Sequence, residues 1–319
     1  MTLEVLAPGL LTSVQDAGRH GARGFGVGIG GAADTHSLAI ANLLVGNPVG
    51  AAALEITLSG PTLRLHRDAI LAICGADIDA QADGIALPGW RPVVLRAGST
   101  IAMGACRRGA RVCLAIDGGI DVPEVLGSRG TDLRGGFGGH AGRALRAGDR
   151  LPLGAPRETT ATPGAPRIAP WWIDPQPDLD FADSIAVRVL PGHDATTPAD
   201  ALHAREFIVD AASNRQGLRL RGDALRPADP RDRVSEPVVP GTVQLPPDGQ
   251  PIVLLADAQT IGGYPRIGHV IAADLPRLAQ RRAGQHLRFV PVDPMQAARA
   301  NAQQRARLGR IALAISGRR

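Results

Sequence analysis

Short runs of apolar residues, separated by glycine and proline, recur along the whole chain. They lie at 54–58, 69–74, 91–95 and 111–116 in the first half and at 184–192 and 251–256 in the second. Runs of this length bounded by turn-forming residues are typical of β-strands. Because they follow one another closely, with few helical patterns between them, the sequence predicts a mainly β-protein. An antiparallel barrel or sandwich is favoured over a parallel α/β sheet.

Three segments have the pattern of helices. The first opens at Asp34 as its N-cap, runs through DTHSLAIANLLV and stops at Gly46, just before Asn47-Pro48. A small polar residue at the start and a glycine followed by proline at the end are the expected boundary signals. A second helix is predicted near Asp274, and a third, rich in alanine and arginine, over 293–308.

The chain is long enough for two compact domains, because its 319 residues exceed the usual size of one. Residues 156–183 are rich in proline and threonine and lack hydrophobic periodicity, as interdomain linkers do. We therefore predict a first β-domain over 1–155, and a second over 184–319 that ends in the C-terminal helix.

The composition is that of an ordinary cytoplasmic globular protein. Hydrophobic residues make up 44% of the chain and charged residues 20%. No apolar run approaches the roughly 18 residues needed to cross a bilayer, and the amino terminus lacks the features of a secretory signal. Cys74, Cys106 and Cys113 show no CxxC spacing, which favours buried, unreactive thiols.

The sequence contains no lysine, so all 35 residues counted as Lys or Arg are arginine. The chain by itself therefore lacks the lysine of a Walker phosphate loop, of a Schiff-base enzyme and of a biotin carrier. The eight histidines show no zinc-binding spacing, so no metal site is expected. A net charge of +5, interleaved acidic residues and only 3% aromatic residues argue against nucleic-acid binding.

Polar side chains in two segments of the first half are candidates for function. The segment SVQDAGRHGARGFGV at 13–27 offers Gln15, Asp16 and Arg19, and the segment 41–61 offers Asn42. An acid, a carboxamide and a guanidinium in a glycine-rich loop could converge on a polar ligand. The structural alternative stays open, in which Asp16 caps a turn and Arg19 pairs with it.

The strongest cluster follows the apolar run 251–256. There Asp257, Gln259 and Thr260 lead into a Gly-Gly-Tyr-Pro turn that contains Tyr264, the only tyrosine of the chain. Glycine-rich turns at the ends of core strands commonly present binding groups. A packing role for the tyrosine is the structural alternative.

A further cluster, ASNRQGLRLRG at 212–222, contains Arg215 and Arg219. If this segment is a strand, the two arginines share a face, because side chains repeat every second residue. Two guanidinium groups on one face suit a carboxylate or a phosphate. A solvated edge strand explains the spacing equally well.

At these motifs the sequence resembles a known family. The motifs are VQDAGRHGARGFGV, GAAD with ANLLVGN, LEITLSGP, AIDGGIDVPEVLGSRGT, SEPVVPGTVQLPPDGQPIVLLADAQTIGGYP and AADLPRLAQ. Together they are similar to the family of 5-oxoprolinase C-subunits, also described as biotin-dependent carboxyltransferase-like or KipA-like. That family is related to the second half of the urea carboxylase carboxyltransferase domain. The resemblance runs from about residue 5 to about residue 291.

The resemblance implies two cyclophilin-like β-barrel domains with a few short helices. It also implies an ATP-dependent hydrolase that opens 5-oxoproline to glutamate, in which this chain acts with a KipI-like B-subunit and with an A-subunit. ATP, with Mg²⁺, is then expected at the level of the complex, and biotin only through another protein. Two alternatives stay open: a biotin-dependent carboxyltransferase component for urea or a related amide, and a regulator that antagonises a KipI-like inhibitor of a histidine kinase.

Under this hypothesis the candidate residues act on a lactam or a related amide. The catalytic candidates are Asp16, Asp257 and Tyr264. The substrate-binding candidates are Gln15, Arg19, Asn42, Arg215, Arg219, Gln244, Gln259 and Thr260. The arginines would hold a carboxylate or phosphate, the glutamines would pair with the amide, and either aspartate would serve as base or magnesium ligand.

Overall fold

The chain forms two compact units, which are described separately. The computed structural model describes residues 2–156, 166–176, 179–194, 196, 198, 200–229 and 234–318. The first unit consists of Met1–His20, Gly30–Leu179 and Leu308–Arg319, and the second of Gly21–Ile29 and Asp180–Arg307.

These units divide the chain differently from the predicted domains at both ends. The short segment 21–29 groups with the second unit, and residues 308–319 group with the first. Part of the predicted linker, 157–165 with 177 and 178, lies outside the described residues. Within the rest of that linker, Arg167 and Ile168 pair with Val94 and Val93 of the first unit.

The first unit is built on one ten-stranded sheet. Its strands are β1 (Thr2–Ala7), β2 (Leu11–Gln15), β3 (Ala53–Thr57), β4 (Thr62–Leu65), β5 (Ala69–Ala82), β6 (Ile85–Ala86), β7 (Val93–Leu95), β8 (Thr100–Ile116), β9 (Arg150–Pro152) and β10 (Arg167–Ile168). The main path is β10-β7-β5-β8-β4-β1-β9, while β3 pairs with β2 and β8, and β6 pairs with β5. These pairings are antiparallel, as the sequence predicts.

Strands β5 and β8 are far longer than the apolar runs that predicted them. The runs 69–74 and 111–116 are only their buried halves. The other halves contain glycine and charged residues, and the register shifts between Gly75 and Ala80. A bulge moves side chains to the opposite face, which hides the two-residue period. The buried halves pack into one core with residues such as Leu54 and Ile56.

The predicted first helix is confirmed as α1 (Thr35–Val45). The Asp34 carboxylate accepts hydrogen bonds from the Ser37 backbone N–H (2.9 Å) and hydroxyl (2.7 Å). Gly46 ends the helix with φ at 84°, a left-handed conformation that glycine adopts without strain. Most of the helix is buried, and it packs against β5 and β8.

The second unit contains a closed seven-stranded barrel and a separate two-stranded ribbon. Its strands are β11 (Ser184–Pro191), β12 (Glu206–Val209), β13 (Gly217–Arg221), β14 (Glu236–Pro237), β15 (Thr242–Gln244), β16 (Ile252–Leu254), β17 (Ile261–Gly262), β18 (Arg266–Val270) and β19 (His286–Pro291). The barrel order is β11-β18-β15-β16-β13-β12-β19, and β14 pairs with β17 in the ribbon.

Parallel pairing of β19 with β11, from Ser184 opposite His286 to Val189 opposite Pro291, closes the barrel. Its interior is filled by alternating apolar side chains, among them Val187, Phe207 and Phe289. The two phenylalanine rings meet edge to face, with centroids 5.8 Å apart. The mainly β fold class is therefore confirmed, with a closed barrel in the second unit.

The two remaining helices are α2 (Leu275–Ala279) and α3 (Pro294–Ser316). The third helix continues beyond the predicted end at 308, where Ile311 and Ile315 are buried. No helix among the described residues is both long and apolar enough to cross a membrane. The three cysteines, all among the described residues, are buried and not joined in disulfide bonds, and burial raises the pKa of the Cys74 thiol well above its usual range.

An ion pair at the start of β9 provides a pH-dependent contribution to stability. Arg143 donates two hydrogen bonds of 2.8 Å to the Asp149 carboxylate, and Arg146 N–H donates a third of 2.7 Å. The hydrogen bonds from Arg143 are the largest cause that lowers the pKa of Asp149 to about 2. Because this pKa lies below the value of about 3.9 in an unfolded chain, the contribution is complete above about pH 5. It is lost as the pH falls through about 2.

We therefore expect Asp149→Asn to lower the free energy of unfolding by about 1–2 kcal/mol at pH 7. The difference from the parent protein should shrink steadily between pH 5 and pH 2. Urea denaturation of both proteins at several pH values measures this difference. A constant gap down to pH 2 would show that the Asp149 charge does not contribute.

Candidate functional site

In the first unit, the candidates Gln15, Asp16 and Arg19 do lie together, at the end of β2. Asp16 Oδ1 accepts hydrogen bonds from Gly18 N (2.9 Å) and the Ser128 hydroxyl (2.7 Å), and its Oδ2 accepts one from Arg129 N (2.6 Å). The Asp16 carboxylate is therefore engaged by the chain itself. It ties the loop around residue 128 to the start of the glycine-rich segment.

Arg19 is almost completely buried, with 1% of its surface exposed. Its guanidinium donates to the backbone carbonyls of Val125 (2.9 Å) and Gly130 (2.8 Å) and lies 4.8 Å from the centroid of the Phe137 ring. A buried cation in these contacts satisfies its donors with main-chain acceptors and an aromatic face. These contacts occupy Arg19 in holding two loops of the first unit.

The buried amide of Gln15 completes this cluster. Its Nε2 donates to the Ser13 hydroxyl and to the Thr131 carbonyl, both at 3.1 Å. Its Oε1 has no hydrogen-bond partner among the described residues.

Asn42, the other candidate in this unit, lies apart from that cluster, near the end of α1. Its Nδ2 donates to the Ala51 carbonyl (2.8 Å), and its Oδ1 accepts from Asn47 Nδ2 (3.0 Å). Asn47 in turn donates to the Ile116 carbonyl (2.9 Å). The two asparagines thus connect the end of the helix to the following loop and to β8.

In the second unit, three strands place Arg219, Ile252 and Gln244 in one row. Arg219 lies opposite Ile252 on β13 and β16, and Gln244 lies opposite Ile252 on β15 and β16. Leu218 and Leu220 belong to the barrel core, so the alternation of a strand puts Arg219 on the outer face. Cross-strand neighbours of this kind have Cβ atoms about 5 Å apart. The row therefore forms a continuous patch outside the barrel.

The chain segments around 238 and 256–264 cover this outer face. Val238, Leu254 and Ala258 form a small apolar cluster outside the barrel core. A Cβ atom at Gly262 would lie only 2.5 Å from Gln244 Nε2. Glycine at this position leaves room for the Gln244 amide, which is 2% exposed.

Between the row and its cover lies a pocket of about 150 Å³. It is lined by Asn214, Gln216, Gly217, Arg219, Gln244, Ile252, Leu254, Gln259 and Tyr264. A wider groove of about 820 Å³ shares Arg219, Ile252 and Tyr264 with the pocket and continues past Pro246, Asp248 and Gln250. Of the predicted site residues, Arg219, Gln244, Gln259 and Tyr264 meet here.

Three side chains that carry hydrogen-bond donors line this pocket: the exposed Arg219, the buried Gln244 and the half-exposed Tyr264. Gln244 Nε2 is itself buried and has no hydrogen-bond partner among the described residues. A buried N–H without a partner costs free energy, and such groups are rare in native proteins. The pocket therefore suits a small molecule with several acceptor oxygens, such as a carboxylate or a carbonyl.

Arg215 and Asp257 bind each other in an ion pair, called the clamp here, so their charged groups do not face a ligand. Arg215 Nε and Nη2 donate to the two carboxylate oxygens of Asp257 at 2.8 and 2.9 Å, and the Arg215 side chain is 4% exposed. The prediction that Arg215 and Arg219 share a strand face required both to lie in one strand. Arg215 precedes β13, which begins at Gly217, so that prediction is wrong. The clamp fixes the start of the segment that carries Gln259.

A residue outside the sequence-based candidates anchors the cover. Arg23 Nη2 donates to the carbonyl oxygens of Val238 and, at 3.4 Å, Thr260. The predicted substrate-binding residue Thr260 thus offers its backbone oxygen to Arg23, and its own side chain does not line the pocket. Arg23 joins the segment 21–29 to the two chain segments that form the cover.

Sequence reasoning missed Gln216, Gly262 and Arg23 as parts of this site. Gln216 is exposed and Gly262 has no side chain, so neither has a hydrophobic signal. Gln259 was found because it follows the apolar run 251–256, which predicts a strand. Among the described residues, no group of three His, Cys, Asp or Glu side chains is arranged to hold a metal ion.

Comparisons with known proteins agree on one family. A model for the carboxyltransferase domain, subdomain A and B, matches residues 25–291. The 5-oxoprolinase C-subunit of Escherichia coli (strain K12) is 41% identical over 308 residues, and the match covers 95% of both chains. The protein of the same name from Haemophilus influenzae is 34% identical over 303 residues, and that match covers 94% of both.

A solved structure extends this likeness to the fold. The crystal structure of the K. lactis urea amidolyase superposes with a TM-score of 0.89 at 30% identity, covering 97% of this chain and 20% of that one. The family model covers most of the chain, and both curated relatives match nearly end to end. The chain therefore belongs to the carboxyltransferase domain family, together with the two 5-oxoprolinase C-subunits.

Proposed function

We propose that this chain is the C-subunit of an ATP-dependent 5-oxoprolinase complex, a hydrolase that opens the lactam ring of 5-oxoproline to glutamate. The observation that carries the proposal is the pocket in the second unit, whose lining includes the polar side chains of Arg219, Gln244 and Tyr264. The similarity to proteins named as 5-oxoprolinase C-subunits selects the substrate among the molecules that such a pocket suits.

The proposed substrate matches the pocket in polarity and size. 5-Oxoproline carries a carboxylate and a lactam carbonyl, and both are hydrogen-bond acceptors. Arg219 binds the carboxylate, because a guanidinium matches its two oxygens, and the lactam group lies against the Gln244 side chain. Ile252 and Leu254 contact the ring. A cavity of about 150 Å³ is of the size that holds one small ring.

Tyr264 is the catalytic candidate that lines this pocket. When the ring opens, the C–N bond breaks and the leaving nitrogen must receive a proton. A phenol hydroxyl with no competing acceptor supplies that proton by general-acid catalysis. The carboxylates of Asp16 and Asp257 accept hydrogen bonds from other residues of this chain. We therefore assign a structural role to Asp16 in the first unit and to Asp257 in the second.

The pocket does not fit Mg²⁺-ATP. Magnesium prefers carboxylate oxygens, but beside the pocket Asp257 is clamped by Arg215 and Asp210 is paired with Arg221. The lysine that commonly holds nucleotide phosphates is absent from the sequence. We therefore place ATP on another polypeptide of the complex, with a KipI-like B-subunit as the direct partner and the A-subunit completing the assembly.

The net reaction of such a complex converts 5-oxoproline, ATP and two water molecules into glutamate, ADP and phosphate. One water molecule opens the ring and the other enters the phosphoryl bond. This chain contributes the substrate contacts and the proton for the ring nitrogen. The three buried cysteines, which form no disulfide bond among the described residues, agree with a reducing compartment such as the cytoplasm.

One alternative is favoured by a specific observation. The same family model and the K. lactis urea amidolyase structure are compatible with a component that carboxylates a urea-like amide. An amide oxygen would use the same donors in the pocket. Because the chain has no lysine, biotin would have to arrive on another protein.

Reconstitution separates these functions. We expect the chain, copurified with the B- and A-subunits, to release ADP and glutamate from 5-oxoproline, and we expect turnover to stop when this chain is left out. The same mixture given urea, bicarbonate and a biotinylated carrier should form no carboxylated urea. Absence of glutamate with all three polypeptides present would overturn the proposal.

A further inference from the structure

The net positive charge of this protein is concentrated at its C-terminal end. Residues 294–319 contain six arginines and no aspartate or glutamate. The rest of the chain carries the other 29 of the 35 arginines and all 30 acidic residues, so its charges nearly cancel. The net charge of +5 therefore comes from helix α3 and the three residues that follow it. A local excess of one charge attracts partners of the opposite sign.

One side of α3 is buried and the opposite side is exposed. Residues three or four positions apart lie on the same face of a helix. The buried side chains are Ala297, Ala300, Ile311 and Ile315. The exposed side, called the outer face here, consists of Met295, Arg299, Ala302, Ala306, Arg310 and Leu313. The outer face thus has an apolar side chain at each end, alanine in the middle and an arginine on either side of the alanines.

Three exposed arginines of α3, Arg299, Arg305 and Arg310, make no ion pair with the described residues. Arg299 and Arg310 lie on the outer face, and Arg305 lies beside it. Since a helix rises about 1.5 Å per residue, Arg299 and Arg310 are separated by about 16 Å. One small anion cannot contact both, so these charges suit an extended acidic partner.

We propose that the outer face of α3 is the docking surface for an acidic helix of another polypeptide. Ala302 and Ala306 in its middle let the backbone of a second helix approach closely. Carboxylates that recur every three or four residues on that helix meet the arginines of α3, and its apolar residues contact Met295 and Leu313. A second copy of this chain fits poorly, because symmetric pairing would set arginine against arginine.

The outer face is less suited to a membrane or to a nucleic acid. Helices that bind membrane surfaces insert large apolar side chains, whereas Ile311 and Ile315 of α3 are buried in the protein. Surfaces that bind single-stranded nucleic acids add aromatic side chains to their positive charge, and α3 contains no aromatic residue. An acidic helix is therefore the partner that the charge and shape of this face favour.

A designed acidic peptide tests this proposal on the isolated full-length chain. The peptide has about three heptads, with leucine at the a and d positions and glutamate at the e and g positions. Its counterpart has lysine in place of each glutamate. We expect the chain to bind the acidic peptide and not the basic one, as measured by fluorescence anisotropy of the labelled peptides. Binding should weaken as salt concentration rises, because salt screens exposed charges.

A triple variant removes the three unpaired charges of α3. It combines Arg299→Gln, Arg305→Gln and Arg310→Gln. We expect it to bind the acidic peptide about tenfold more weakly than the parent chain, because each lost charge pair contributes a fraction of the affinity. Glutamine forms helices nearly as well as arginine, so α3 should stay folded. Circular dichroism of the variant checks this.

A second triple variant is the matched control, because it removes the same charge from three exposed arginines of the first unit. It combines Arg64→Gln, Arg96→Gln and Arg146→Gln. We expect it to keep the affinity of the parent chain within about twofold. Equal losses in the two variants would overturn the proposal, since overall charge would then explain the binding.

Other partners are excluded in the same assay. The proposal would also be overturned if the parent chain failed to bind the acidic peptide. Tighter binding to a second copy of the chain, to phosphatidylglycerol vesicles or to polyuridylate would have the same meaning. These measurements use no 5-oxoproline, so their outcome is independent of the proposed function.

Discussion

Arg67→Ala should lower the free energy of unfolding by about 3–5 kcal/mol, because it leaves a buried carboxylate without its counter-charge. Arg67 Nη1 donates to Asp117 Oδ1 at 3.0 Å, and the two side chains are only 4% and 0% exposed. The same Asp117 oxygen also accepts from Ile70 N at 3.0 Å. The pair thus connects the start of β5 to the end of β8, the two long strands of the first unit.

Urea denaturation, followed by circular dichroism, measures this loss. Arg108→Ala is the matched control, because Arg108 pairs with Asp77 across the same two strands with 66% and 41% of the side chains exposed. An exposed pair contributes about 0–1 kcal/mol, so this variant should stay close to the parent protein. Equal losses in the two variants would show that burial does not decide the strength of these pairs.

The largest effect on ligand binding is expected for Arg219→Gln. The Arg219 guanidinium makes no hydrogen bond with the described residues, and the residue lines both the pocket and the groove. Hydrogen bonds to charged groups contribute about 1.5–3 kcal/mol. We therefore expect the affinity for 5-oxoproline to fall by about 10- to 150-fold. Isothermal titration calorimetry, or NMR titration if binding is weak, measures this change.

Two comparisons assign the Arg219 effect to the carboxylate. The neutral lactam 2-pyrrolidinone lacks that group, so its affinity should change by less than about threefold in the same variant. Arg221→Gln removes a second arginine of the groove, which is already paired with Asp210, and should have a similarly small effect on 5-oxoproline. A parallel loss for both ligands in Arg219→Gln would mean that the pocket itself has changed shape.

Much of the fold follows from local signals in the sequence. Asp34 and Gly46 bound the first helix because a cap and a left-handed glycine act within a few residues. The lengths of β5 and β8 could not be predicted in the same way, because their exposed halves are held by pairing with each other and carry no apolar run. The grouping of residues 21–29 with the second unit also depends on a long-range contact, from Arg23 to Val238.

In the candidate site, too, local signals in the sequence predict some features and long-range contacts determine the others. Gln259 and Tyr264 lie in the segment that follows the predicted strand at 251–256, and the structure brings them to one pocket with Arg219 and Gln244. The sequence shows that Arg19 and Asp257 are charged, but it does not show which groups they contact. Arg19 donates to backbone carbonyls, and Asp257 accepts from Arg215, which lies 42 positions earlier in the chain. Whether a polar residue is available for a ligand depends on such partners, which composition and spacing do not specify.

The parallel pairing of β19 with β11 has a consequence for how the second unit folds. Ser184 meets His286, about one hundred positions later in the chain. Closing so long a loop lowers the entropy of the chain before the strand contacts form, and folds with such pairings form slowly. During synthesis, the edge of β11 that pairs with β19 therefore stays unpaired until β19 has left the ribosome. A chain truncated before residue 286 would keep that edge exposed, and edges of this kind are prone to join strands of other molecules.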